Sequence, residues 1–317
     1  METFVRRRQA LNQTINRMGR TEWALMLLLS LVWGGAFFLG KVAVDALPPL
    51  TVVAVRVSLA AVMLNAVLLV TGRRLPQGRG LWVRFMVLGL LNNALPFSLI
   101  FWGETRISSG LASILNASSP AWCILLAHFL TRDEKLTPSK AVGMVLGLLG
   151  VVTLIGWDIL VGERGNAVAQ LAVVGAAVSY GLAGIYSKQF NAVPPLVLST
   201  AQLTCAAVWM IPAALLTYPA GVPLAPDLKV VLALLGLALF CSALAYILYF
   251  RILATAGASN ALLVTLLVPV SANALSVAFL GERIGVSQVV GMALIGLGLL
   301  VIDGRVVERV TRRVRAR

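Results

Sequence analysis

Charged residues punctuate this chain instead of alternating along it, and the stretches between them have the length of a bilayer-crossing helix, roughly 20 residues. The first charge-free run is Trp23 to Gly40, after Glu22 and before Lys41. The second, about Pro49 to Thr71, carries one charge, Arg56. Further runs lie between Arg84 and Glu104, Arg106 and Arg132, Lys140 and Asp158, and Arg164 and Lys188. The stretch from Gln189 to Pro226 is too long for one helix. Pro194-Pro195 and Tyr218-Pro219 break it and leave a seventh helix at about Leu196 to Thr217. Val230 to Phe250, about Ala258 to Leu280 and Ile284 to Ile302 complete the set. The pattern predicts an all-α integral membrane protein with ten transmembrane helices.

Composition agrees. Of 317 residues, 59% are hydrophobic and 12% charged, about half the charge a soluble surface of this size carries. The net charge of +14 could point to a nucleic acid, but the basic residues sit in the tails and short loops, with no interleaved aromatics, so no nucleic-acid partner is expected. Membrane orientation accounts for them better. With both termini cytoplasmic, twenty Lys and Arg fall on the inner side and five on the outer side, Lys41, Arg106, Arg164, Lys229 and Arg283. Cys123, Cys205 and Cys241 lie in apolar runs without paired spacing, so neither a disulfide framework nor a metal site is expected, and no cofactor is implied.

The chain also repeats itself. Trp33-Gly34, Lys41, Pro48-Pro49 and Arg56 recur as Tyr180-Gly181, Lys188, Pro194-Pro195 and Gln202. Pro120 pairs with Pro269, and Glu134 with its following Gly143-Met144 pairs with Glu282 and Gly291-Met292. The offset is about 148 residues. Five helices per half is an odd number, so the second half enters the bilayer inverted, as in many secondary transporters.

Trp33-Gly34-Gly35-Ala36-Phe37, Arg56 in the second helix, and Gly281-Glu282-Arg283 leading to Gly291-Met292-Ala293-Leu294-Ile295-Gly296-Leu297-Gly298 resemble the drug/metabolite transporter superfamily, EamA type. The resemblance implies ten helices around a central cavity that exports, exchanges or takes up small metabolites such as amino acids. It divides the chain into a basic tail (1–20), a first five-helix repeat (21–157), a second, inverted repeat (165–303) and a basic tail (304–317). Arg132-Asp133-Glu134-Lys135 departs from the usual Gly-Glu-Arg at the corresponding place in the first half.

Polar side chains at bilayer depth are costly and so informative. The expected substrate cavity draws on Trp33, Arg56, Asn92, Asn93, Asn116, Ser119, Tyr180, Gln202, Ser242, Tyr246, Thr265 and Asn273. Interhelical hydrogen bonding is the competing role for each small polar residue. Pro120 and Pro269 remove the bonds to the carbonyls of Asn116 and Thr265, so both are expected kinks, either satisfied by a neighbouring hydroxyl or shaping a gate. Arg56 is read as a structural pin or as the anchor of a substrate carboxylate or phosphate. Lys41 and Lys188 read as snorkelling anchors. Glu134 and Glu282 read as caps on the helices that follow them, and His128 as an interface residue.

A membrane enzyme would need clustered His, Asp, Glu or Cys, and no acid lies near a span's midplane. The expected function is therefore non-enzymatic transport of small organic molecules across the inner (plasma) membrane. Export of amino acids or related zwitterions by alternating access leads, and exchange or uptake of anionic metabolites such as phosphorylated sugars follows. The expected partners are the small-molecule substrate and the bilayer, with a homodimer left open. The proton relay common in carriers is not visible, so facilitated diffusion or exchange is expected.

Overall fold

A computed structural model describes residues 19–131, 136–160, 164–219, 226–256 and 264–303. Most of the two basic tails, with Glu134 and its neighbours, lies outside the described residues.

Among the described residues the chain is helical, without strands. The helical runs are α1 (Arg20–Val44), α2 (Pro49–Val70), α3 (Arg79–Glu104), α4 (Ser109–Leu130), α5 (Pro138–Leu160), α6 (Arg164–Ser187), α7 (Pro195–Thr217), α8 (228–256), α9 (264–280) and α10 (Val286–Asp303). Seven of these helices are long and apolar enough to cross a membrane, namely α1–α4 and α6–α8. In the other three the apolar stretches are shorter, Pro138–Thr153, Leu267–Leu280 and Val286–Ile302. Large apolar side chains such as Val62, Leu69, Phe129, Leu171, Leu216 and Phe279 face outward. A water-soluble fold would not leave so much apolar surface bare, whereas lipid covers it without cost. The protein is a multi-pass membrane protein.

Local chemistry explains where helices begin. α2 and α7 start after paired prolines, with Pro49 and Pro195 in the first turn, where a missing N–H costs nothing and φ is already helical. Three helices contain a π-helical turn, α3 at Leu90–Ala94, α8 at Gly236–Leu244 and α9 at its end, Ser276–Leu280. Such turns displace one residue from the regular ladder and recur at functional sites.

The expected proline kinks separate into two outcomes. α4 is broken into Ser109–Asn116 and Ser119–Leu130, with Pro120 in the first turn of the second piece. The acceptor that Pro120 leaves free, the Asn116 carbonyl, takes the Ser119 hydroxyl at 2.5 Å. Pro269 sits inside a helix that runs on past it, from Val264 to Leu275.

Helices pack closely where glycines allow it. α5 crosses α10, their most extensive contact, at two glycine pairs. A Cβ on Gly143 would stand 2.5 Å from the Gly298 carbonyl, and one on Gly150 would stand 2.8 Å from that of Gly291. Bare backbone on both sides is the condition for this approach. Other broad contacts join α2 to α7 and α8, α1 to α9, and α6 to α3 and α4.

Candidate functional site

The site grows from one buried cation. Arg56 in α2 is only 5% exposed. Its Nε donates to Ser242 Oγ at 2.9 Å, and its Nη2 to the Cys241 carbonyl at 3.5 Å. The π-helical turn of α8 presents both partners. Ser242 in turn donates to the Leu237 carbonyl at 2.9 Å, five residues back, a bond that only the wider turn offers. The guanidinium carbon Cζ lies 3.9 Å from the Phe97 ring centroid and 5.6 Å from that of Phe101, both from α3. Those faces are partial negative charge. Among the described residues Nη1 takes no hydrogen-bond acceptor, so one edge of the cation is unspent.

The second polar centre lies one turn further along α8. Tyr246 accepts a hydrogen bond from Asn93 Nδ2 at 3.1 Å. Asn93 is fully buried, and its Oδ1 has no hydrogen-bond partner. Tyr180 from α6 and Tyr246 both lie within electrostatic reach of Arg56. Trp33 from α1 packs on Tyr249 with ring centroids 5.6 Å apart. Trp33, Arg56, Asn93, Tyr180, Ser242 and Tyr246, on α1, α2, α3, α6 and α8, thus gather rings and polar groups around a buried cation.

Of the twelve expected cavity residues, Trp33, Arg56, Asn93, Tyr180, Ser242 and Tyr246 belong to this neighbourhood. The others have different surroundings. Asn92 donates to Gln202 Oε1 at 3.0 Å, tying α3 to α7. Asn273 donates to the Pro269 carbonyl at 2.8 Å and to the Gly110 carbonyl at 3.4 Å, tying α9 to α4. Ser119 serves the Pro120 break. Asn116 Oδ1 is buried without a hydrogen-bond partner. Thr265 sits half-buried on α9, one turn before Pro269.

A second cluster lies at the end of the bundle where α3 stops and α4 begins. Lys41 donates to the Glu104 carbonyl at 2.9 Å and pairs with Asp45 at 2.9 Å, so it is fixed to α3 instead of snorkelling freely. Glu282 does not cap the helix that follows it. Its carboxylate accepts the backbone N–H groups of Ser109 at 3.0 Å and Gly110 at 3.2 Å, and the Ser109 hydroxyl at 3.2 Å. It thus caps α4, in the other half of the chain. The reason is Gly281, whose φ of +67° turns the chain back at the end of α9. That left-handed conformation suits glycine. Ser109 and Ser276 hydroxyls, 2.6 Å apart, close the same contact.

Three contributors escaped the sequence reading. Phe97 and Phe101 are ordinary apolar residues in a span, and only their four-residue spacing hints at a shared face. Glu104 served only as a span boundary, yet it is completely buried. His128 has a local role, its Nδ1 accepting the Leu136 N–H at 3.2 Å. Among the described residues no cluster of His, Cys, Asp and Glu could hold a metal.

Two clefts open elsewhere. One of about 430 Å³ is lined by Arg73, Arg74, Pro76 and Pro194, and one of about 570 Å³ runs between α2 and α7 past Asn65 and Thr204.

Comparison with known proteins fits this picture. The profile of the EamA-like transporter family matches residues 21–156 and again residues 167–303. The uncharacterized transporter YoaV of Bacillus subtilis is 26% identical over 86% of this chain and 94% of its own length. Protein PecM of Dickeya dadantii is 28% identical over 86% of this chain and 89% of its own. The uncharacterized inner membrane transporter YedA of Escherichia coli is 28% identical over 69% and 70%. A crystal structure superposes with a TM-score of 0.63 at 22% identity, covering 89% of this chain and 97% of that one, a likeness of fold.

Proposed function

The chain belongs to the EamA-like transporter family, and from that premise we propose that it exports small zwitterionic metabolites, amino acids foremost, across the inner membrane by alternating access. The supporting observation is a division of labour on α8. Ser242 holds Arg56 with a donor edge unspent, and Tyr246, one turn away, holds Asn93 with an acceptor unspent. A zwitterion offers the complements of both, a carboxylate for the guanidinium and an ammonium for the amide oxygen. Rings of Phe97, Tyr180 and Tyr246 suit an apolar side chain.

The architecture we infer is ten spans in two inverted repeats, 21–157 and 165–303, with both termini cytoplasmic. Several features support it. The family profile matches twice, and the π-helical turns of α3 and α8 stand at equivalent places in the two halves. The packing is its own mirror, since exchanging halves turns α1 on α9 into α6 on α4, and α5 on α10 into itself. The excess of Lys and Arg on one side sets the orientation. In that frame the Glu104 and Glu282 cluster is the outer end, and it is shut. Two near-equivalent halves sharing a site are what an alternating-access carrier needs.

Arg56 also fits a phosphate, which keeps exchange of anionic metabolites as the second reading. The test is counterflow in proteoliposomes loaded in turn with unlabelled amino acids and with sugar phosphates. Saturable, trans-stimulated uptake of an amino acid is expected, reduced about 10- to 100-fold by Arg56→Gln and less by Arg56→Lys, the loss of a charged hydrogen bond. Counterflow for sugar phosphates alone would decide for the second reading.

A further inference from the structure

The two clefts set apart from the substrate site lie in line on one seam, where α2 packs on α7. The first opens where α2 ends and α7 begins, and Arg73, Arg74, Pro76, Val193 and Pro194 are among its walls. Local geometry puts the arginines there. Gly72, at φ +68°, ends α2 in a Schellman turn, its own N–H donating to the Leu69 carbonyl at 3.1 Å and the Arg73 N–H to that of Leu68 at 3.0 Å. The walls are held in place. Trp82 Nε1 donates to the Pro76 carbonyl at 2.8 Å, the Val193 N–H donates to the Phe190 carbonyl at 2.8 Å, and Trp82 and Val193 both pack on the buried cluster around Phe85 and Phe190. Among the described residues neither arginine forms an ion pair or a side-chain hydrogen bond. Two adjacent cations thus share a fixed cleft with no counter-charge.

The second cleft begins one turn deeper on α2, at Leu69, and passes Asn65 and Val62 with Thr204 and Ile211 of α7 opposite. Asn65 spends its amide on the Ala61 carbonyl at 2.8 Å and on Thr204 Oγ1 at 3.2 Å, and the Ser58 hydroxyl is buried, so an occupant meets apolar surface. From Leu69 to Ser58 this groove follows roughly 16 Å of helix, the depth of one leaflet.

We propose that the α2–α7 seam binds one anionic phospholipid, its phosphate held by Arg73 and Arg74 and an acyl chain laid along the groove past Leu69, Asn65 and Val62. Paired guanidinium forks match a phosphate, and only a molecule with a chain also covers the groove at bilayer depth. A free phosphate would leave that apolar surface bare. A second copy of this chain, at +14, or its own tail with the arginines from Arg6 to Arg20, would add positive charge where the cleft already has an excess. The orientation inferred above puts the site in the inner leaflet, where anionic lipids attract basic loops; nothing in the proposal depends on the substrate. The lipid braces α2, the helix of Arg56, against α7 of the other half.

Native mass spectrometry of the full chain, delipidated in detergent, reads bound molecules one at a time. Titrated in turn with dioleoyl phosphatidylglycerol and dioleoyl phosphatidylcholine, the wild type should take up one phosphatidylglycerol before any phosphatidylcholine; equal uptake of the two overturns the proposal. Arg73→Gln with Arg74→Gln should weaken phosphatidylglycerol binding about thirtyfold, at roughly fivefold for each arginine, and leave phosphatidylcholine binding as it was. Arg79→Gln with Arg84→Gln removes the same charge from exposed positions nearby and should change little, whereas an equal loss there would mean diffuse attraction without a site. Ala66→Trp fills the groove from an exposed position on its wall and should also weaken phosphatidylglycerol binding. If the double Gln variant does not fold, this substitution decides alone, and full affinity with the groove filled refutes the proposal. Inorganic phosphate should not displace the lipid; displacement at equal concentration would assign the cleft to a soluble anion. A dimer that Ala66→Trp abolishes would assign the groove to a second copy, and either result overturns the lipid reading.

Discussion

Glu282 joins the two halves of the chain at one end of the bundle, and removing its carboxylate is expected to let that end open. The bonds at stake are two backbone N–H groups at the start of α4, at 3.0 and 3.2 Å, and the Ser109 hydroxyl at 3.2 Å. A side-chain cap is worth about 1 kcal/mol, and a negative charge at a helix N-terminus adds up to ~1 kcal/mol. Because these bonds span elements that must part, their loss falls on the shut state. Glu282→Ala should therefore shift the balance of shut and open forms by about 2 kcal/mol, roughly thirtyfold. Glu282→Gln keeps one acceptor but turns an amide N–H toward a backbone N–H, and should cost about half as much. The assay is double electron–electron resonance in nanodiscs with spin labels at Arg106 and Gly285, both exposed, in a background lacking Cys123, Cys205 and Cys241. A longer-distance population should grow from wild type through Gln to Ala. Identical distance distributions in all three would refute the reasoning.

Two further substitutions test the packing. Gly143→Ala puts a Cβ 2.5 Å from the backbone carbonyl of Gly298, which no side-chain adjustment relieves, so a loss of about 1–3 kcal/mol is expected in thermal unfolding in detergent; an unchanged melting temperature would mean that α5 and α10 are held apart more loosely. Ser119→Ala strands the Asn116 carbonyl at the α4 break and should cost about 1–3 kcal/mol, whereas adding Pro120→Ala supplies a backbone N–H for that carbonyl and should recover most of it. Additive effects of the two changes, measured by the same unfolding, would show that the hydroxyl is not what satisfies the break.

The sequence alone determined the solvent of this protein and its family. Apolar runs of bilayer length between charge clusters permit little except membrane helices, because lipid leaves backbone polar groups nowhere to bond but within the helix. It also determined where several helices start, since Pro49 and Pro195 act through purely local sterics, and it singled out Arg56, Asn93, Ser242 and Tyr246 as polar groups at unusual depth. The tertiary structure decided what each of those groups does. Asn93 and Asn273 read alike in the sequence, but one holds Tyr246 with an oxygen to spare and the other ties α9 to the Gly110 carbonyl. Glu282 looked like a cap for its own helix and instead caps α4, because a single left-handed glycine turns the chain toward a partner 173 residues away. Glu104 looked like the hydrophilic end of a span and is a sealed carboxyl, since burial depends on which helices pack over a residue, and hydropathy along the chain carries no record of that.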